Sequence, residues 1–101
     1  MPADVTVYVT RSCAYCVAAK RLLAKRGTTF REIDVSGDDE KRAWLARTTG
    51  QRTVPQIFIG ADPIGGYHEL AALDRAGVLR ERLAVAEEPD REDPQDVVSA
   101  R

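Results

Sequence analysis

Two cysteines stand three apart in this 101-residue chain, as Cys13-Ala14-Tyr15-Cys16. A pair at that spacing can exchange electrons with a disulfide, contribute to a metal site, or simply fill two small buried positions. A bridge between them closes too short a loop to restrain the unfolded chain usefully, which argues against a purely structural disulfide. Zinc takes about four ligands, and beyond these thiols the chain offers carboxylates and one histidine, His68, far downstream. That supply argues against mononuclear zinc, and no metal site is expected. The redox reading gains if a strand leads into the pair and a helix starts on it. Cys13 then occupies a helix N-terminus, where free backbone N–H groups and the helix dipole favour negative charge on sulfur. Arg11, two residues upstream, adds positive charge. Cys16, a turn further in, is expected to be less exposed and to hold its proton more tightly, as suits a resolving thiol.

Two further clusters carry recognition chemistry. In Arg52-Thr53-Val54-Pro55 the residue before proline is held extended, and a cis proline here would turn the Val54 backbone outward as an edge able to accept a peptide by strand addition. In Gly65-Gly66-Tyr67-His68-Glu69 two glycines lead into a helix, whose first N–H groups favour a carboxylate or phosphate, while Glu69 can meet an amine. Each also has a plain structural explanation, a strand-initiating proline and a simple turn. His68 is read as a surface or capping residue, since thiol exchange needs no general base once the attacking sulfur is anionic. Trp44 is read as partly buried on a helix face.

The elements that must position these clusters follow from periodicity. Val5 to Thr10 alternates β-branched and aromatic residues without Gly or Pro and predicts a buried first strand. Ala14 to Arg26 predicts a helix with Val17, Ala18, Leu22 and Leu23 as its apolar stripe, ended by Gly27. Thr28 to Val35 alternates at period two, a second strand, so the first three elements make a parallel βαβ unit. Ser36 to Asp39 supplies turn and N-cap chemistry for a helix from Glu40 to Thr49, closed by Gly50. Pro55 leads into the apolar strand Ile57-Phe58-Ile59, and Gly60-Ala61-Asp62 turns into a hairpin partner around Pro63-Ile64. A third helix is predicted from His68 to Ala76, with a last helical turn or two over Val78 to Leu83. The fold class is α/β, in the order β-α-β-α-β-β-α.

Composition narrows the partners. Charged residues at 31% and hydrophobic residues at 44% describe one globular module. A net charge of −1 removes the broad electrostatic case for nucleic-acid or membrane binding. That near-neutrality is a cancellation. From Ala86 onward six acids face two bases, leaving residues 86–101 at −4 and residues 1–85 at +3. The division predicts a folded domain over 1–85 and an acidic, flexible tail over 86–101. The N-terminus lacks the cationic start of a signal peptide and no stretch is long enough to span a membrane, so a cytoplasmic location is expected.

Taken together, the three clusters resemble the bacterial glutaredoxins of the glutaredoxin 3 type. Cys13-Ala14-Tyr15-Cys16 is similar to the family's active site, Arg52 to Ile59 to its cis-proline strand, and Ile64 to Leu70 to its glutathione-binding turn. The resemblance spans residues 4–85. It implies a thioredoxin-like fold with a four-stranded mixed sheet flanked by helices. It also implies reduction of protein disulfides and glutathione mixed disulfides, with glutathione as co-substrate and the glutathione reductase system behind it. On this pattern Cys13 is the nucleophile and Cys16 the resolving thiol. Tyr15 flanks the glutathione sulfur, and Val54, with Thr53 and a cis Pro55, pairs with its cysteinyl unit. The γ-glutamyl carboxylate meets N–H groups of Gly66, Tyr67 and His68, and its amine meets Glu69. Thr10 stands where the family often has a lysine for the glycyl carboxylate, a role that falls to Arg11 or Arg52. The same departure admits another low-molecular-weight thiol, such as mycothiol. Ala14 replaces a common proline, and non-proline relatives include some that share a [2Fe–2S] cluster between two protomers, with the first cysteine and glutathione as ligands. The chain is therefore expected to be a monomer, and a dimer only if Cys13 holds such a cluster. A redoxin served by thioredoxin reductase is a further alternative, which the Gly-Gly-x-x-Glu turn disfavours.

Overall fold

Five residues of alternating character, Val5–Val9, form β1, the strand on which the rest is organised. A computed structural model describes residues 4–87. β1 pairs in parallel with β2 (Arg31–Asp34) and antiparallel with β3 (Gln56–Ile59), which pairs antiparallel with β4 (Asp62–Gly65). The sheet order is β2-β1-β3-β4. The helices are α1 (Ala14–Lys25), α2 (Asp39–Thr49), α3 (Tyr67–Arg75) and α4 (Val78–Glu87). The α/β order and the mixed four-stranded sheet are those expected, and α4 adds a longer last helix than Val78 to Leu83.

The period-two alternation of β1 sends its side chains to opposite faces. Val5, Val7 and Val9 join Ile57 and Ile59 in a core completed by Cys16, Ala19 and Leu23 of α1, Leu70 of α3, and Leu79 and Leu83 of α4. On the other face Phe58, Leu45 of α2 and Val35 form a smaller core, with Tyr8 and Ile33 against it. Trp44 stacks on Phe58 with ring centroids 5.9 Å apart and remains partly exposed, as a helix-face aromatic.

Local rules set the boundaries. At the end of α1 the N–H of Gly27 bonds to Ala24 O and that of Thr28 to Leu23 O, with Gly27 at φ 73°. This is the Schellman arrangement glycine permits. It also draws Thr28 into the helix ending, which is why β2 starts at Arg31 rather than at Thr28. α2 is capped by Asp38, whose carboxylate accepts from Lys41 N at 3.0 Å. One expectation is corrected: the inward stripe of α1 is Cys16, Ala19 and Leu23, while Val17 is exposed and Ala18 and Leu22 are half-buried. Small side chains let α1 approach the sheet closely, so alanine and cysteine occupy the inward line. The expected division at 85/86 falls within α4, and the acidic stretch 88–101 lies outside the described residues.

Candidate active site

β1 ends at Val9, and the chain turns through Arg11 and Ser12 into α1. Ser12 takes φ 58°, an uncommon value for a residue with a side chain, and Arg11 N–H donates to Ser36 Oγ at 2.9 Å, tying this turn to the one after β2. The next residue, Cys13, is extended and caps α1. Its sulfur accepts a hydrogen bond from Cys16 N–H at 3.1 Å, the contact an N-cap oxygen ordinarily makes. No acidic residue lies in the first turn of α1. The dipole and the free N–H groups therefore act on Cys13 Sγ without opposition from within that turn.

Cys16 differs. It is 2% exposed, packed into the main core, and burial pushes its thiol up to about 11 from an ordinary 9.0. The hydrogen bond with Cys13 adds to that rise, while the Lys20 ammonium one turn on opposes it. Both thiols are free. One half-buried sulfur at a helix N-terminus and one protonated sulfur beneath it suit an attacking and a resolving thiol.

The second cluster comes to the first. The Val54–Pro55 peptide bond is cis, and Val54 O lies 3.8 Å from Cys13 Sγ, as for a thiol donating to a carbonyl. The third cluster adjoins the second: a side chain on Gly66 would meet Pro55 O at 3.3 Å. Glu69 Oε1 accepts from Gly66 N–H at 2.8 Å, so this N–H and this carboxylate already serve each other. Tyr67, His68 and Glu69 hold the remaining first-turn N–H positions. Tyr15, 55% exposed, stacks on Tyr67 at 6.0 Å and tilts against His68 at 5.1 Å, extending one aromatic wall from α1 to α3.

The expected cations are separated. Arg11 lines a groove of about 530 Å³ between α1 and β2 with Cys13, Cys16, Lys20, Glu32 and Asp34. The sheet order puts this groove on the opposite flank of Cys13 from Val54. Within it Lys20 Nζ pairs with Glu32 at 2.9 Å, and Ser36 N–H holds the Asp34 carboxyl below its ordinary range. Arg52 and Thr53 are exposed on the loop before Pro55, on the Val54 side. Among the described residues there is no cluster of three or more His, Cys, Asp or Glu able to hold a metal ion, and no helix long and apolar enough to cross a membrane.

Sequence reasoning passed over two residues here. Lys20 reads as an outward helix lysine, yet it stands beside Cys16. Gln56 stands outside the expected strand Ile57-Phe58-Ile59, yet it opens β3 and is wholly buried below the Arg52–Val54 loop. A polar residue opening an apolar strand, directly after the proline, is the signal that singles it out.

Comparisons with known proteins point to one family. The family model described as Glutaredoxin matches residues 5–64. A glutaredoxin of Pseudomonas aeruginosa is 51% identical over 75 residues, covering 74% of this chain and 89% of that one. Glutaredoxin 3 of Escherichia coli K12 is 44% identical over 77 residues, 76% of this chain and 93% of the relative. Among solved structures, a buckwheat glutaredoxin–glutathione complex superposes with a TM-score of 0.79 at 32% identity, over 83% of this chain and 79% of that one. A glutaredoxin from Brucella melitensis gives 0.74 at 44% identity, over 81% and 89%.

Proposed function

The chain belongs to the glutaredoxin family and is a thiol–disulfide oxidoreductase, and from that premise we propose that its electrons come from glutathione and that Cys13 and Cys16 carry the exchange. The observation that carries the reading is the position of Cys13 Sγ, which caps α1 3.1 Å from Cys16 N and faces Val54 O at the cis proline. A nucleophilic sulfur thus sits beside a backbone edge: the N–H of Val54 takes no protein partner among the described residues.

In the proposed cycle the Cys13 thiolate attacks the glutathione sulfur of a mixed disulfide. A sulfur–sulfur bond forms between Cys13 and glutathione, the old one breaks, and the substrate thiolate leaves and takes a proton from water. A second glutathione, as thiolate, then attacks the sulfur of the glutathione bonded to Cys13; that sulfur–sulfur bond breaks, yielding glutathione disulfide and regenerating the Cys13 thiolate. For a protein disulfide, the Cys13 thiolate opens the substrate bridge to a mixed disulfide and frees one substrate thiolate, which takes a proton from water; Cys16 then attacks Cys13 Sγ, its proton passing to the second substrate sulfur as that sulfur departs. Two glutathiones then reduce the Cys13–Cys16 bridge. The cysteinyl unit of glutathione lies along Val54 and Thr53, its γ-glutamyl carboxylate at Tyr67 and His68 N–H, with Arg52 on this flank for the glycyl end. Arg11, on the other flank, acts on the Cys13 side alone. The location proposed is the cytoplasm, whose reducing poise keeps both thiols free.

Comparing glutathione, mycothiol and thioredoxin reductase as reductants tests the donor. Turnover with glutathione well above the other two is expected, and preferred use of either alternative overturns the assignment. A second reading is carried by Ala14 and by the accessible Cys13 thiol. A [2Fe–2S] cluster takes four ligands; with Cys16 buried, this chain supplies Cys13 alone, which fits a cluster only if two copies and two glutathiones share it. Reconstitution with iron, sulfide and glutathione under anaerobic conditions decides it: a brown dimer supports the reading, and a colourless monomer removes it.

A further inference from the structure

Gln56 opens β3 inside the molecule. Its side chain is wholly buried, on a strand whose other members are Ile57, Phe58 and Ile59. Its amide nitrogen donates to Thr53 O at 2.9 Å and to Gln51 Oε1 at 3.1 Å, while its Oε1 has no partner among the described residues. A buried acceptor left unpaired opposes folding. An apolar side chain of the same length would fill the space without that penalty, so packing alone does not account for an amide here.

What the amide holds is the loop before Pro55. Four successive carbonyls of this loop turn toward side chains. Gln51 O accepts from Thr49 Oγ1 at 3.2 Å, Arg52 O from Arg42 Nη2 at 3.4 Å, and Thr53 O from Gln56, while Val54 O faces Cys13 Sγ at 3.8 Å. The N–H groups of Arg52, Thr53 and Val54 take no protein partner among the described residues. The loop is thus anchored through its oxygens and offers its N–H edge. Of the four anchors the Gln56 contact is the shortest, and it is donated by a side chain sheltered from water, whereas those from Thr49 and Arg42 lie at the surface.

We propose that Gln56 is a positioning residue for the reaction: by fixing the Thr53 carbonyl it sets the Val54 backbone edge against Cys13 Sγ. This rests on the reading that the Val54 edge receives the glutathionyl half of the substrate.

Gln56→Met tests it, because methionine keeps the length and removes both amide groups. The KM for a small glutathione mixed disulfide is expected to rise about fivefold with kcat within about twofold of the parent. The urea midpoint should hold or increase, and the rate of Cys13 alkylation by iodoacetamide should stay unchanged, since the Cys16 N–H that caps it is untouched. An unchanged KM overturns the proposal. So does a fall in kcat, alkylation rate and stability together, which assigns Gln56 a structural role only. Gln51→Ala removes the acceptor outside Thr53 and leaves the contacts to Thr53 O and Oγ1, so its KM should remain within about twofold of the parent. A rise equal to that of Gln56→Met also overturns the assignment. Titrating the parent protein with S-methylglutathione while following the Val54 amide by NMR separates the two levels. If that amide does not respond, the reading of the groove and the proposal fail together. If it responds and Gln56→Met binds as tightly as the parent, only the role of Gln56 fails.

Discussion

At the scale of single residues, the two cysteines are made different by three positions of chain. Cys13 stands before the first turn of α1 and takes the capping contact, while Cys16 stands on the inward line and is packed against the sheet. A thiol whose folded value is about 11 against an ordinary 9.0 binds its proton more tightly folded than unfolded. The unfolded chain therefore loses that proton first, and the stability linked to it is complete below pH 9 and disappears as the pH rises toward 11. Urea unfolding between these pH values should show a decline that Cys16→Ser reduces, and an identical decline in the variant would contradict the burial argument. At neutral pH iodoacetamide should label Cys13 well ahead of Cys16, read by peptide mass, because only Cys13 is reachable. Much of this was legible in the sequence, since a helix start between Cys13 and Ala14 assigns the cap to one thiol and the interior to the other. The internal bond between Gly66 N–H and Glu69 was not, because the pattern Gly-x-x-Glu leaves open whether the acid reaches back or outward.

At the scale of elements, capping chemistry decides boundaries and side-chain size decides faces. Asp38→Ala removes the one side-chain cap of α2 and should cost about 1 kcal/mol in urea unfolding. The reduction rate of a small mixed disulfide should be unaltered, since α2 bears no sulfur. Gly65 has φ 115°, and a Cβ there would lie 2.9 Å from the Glu69 side chain. Gly65→Ala should therefore both destabilise the fold and weaken binding of glutathione conjugates, because backbone strain and displacement of Glu69 act on the same turn. Calorimetric titration with S-methylglutathione beside a thermal melt checks both effects. The strands and their order could be read from alternation and turn residues, but the inward face of α1 could not. Val17 and Leu22 outrank Cys16 and Ala19 in hydrophobicity, and only the closeness of the sheet selects the smaller pair. Gln56 escaped for a related reason: a polar residue at a strand's start reads as an edge until the strand is known to lie in the middle of a sheet.

At the scale of the whole molecule, one sheet separates two cores of unequal size, and the candidate site sits where β1, α1, β3 and α3 converge on one end of it. The larger core unites α1, α3 and α4. Leu23→Ala, at its centre and wholly buried, should cost about 2–5 kcal/mol. Its activity at temperatures well below unfolding should survive, since Leu23 lies more than two turns from Cys13. The charge of −1 divides into +3 over residues 1–85 and −4 over 86–101. That balance was legible by counting, whereas the continuation of α4 to Glu87 was not, because Ala and Glu favour helix and acidic tails alike. The central claim, that Cys13 alone takes the glutathionyl group, is tested most directly by steady-state reduction of a small glutathione mixed disulfide by Cys13→Ser and Cys16→Ser. Cys13→Ser is expected to have no activity above background and Cys16→Ser to retain turnover; activity in Cys13→Ser, or its loss in Cys16→Ser, would contradict the account.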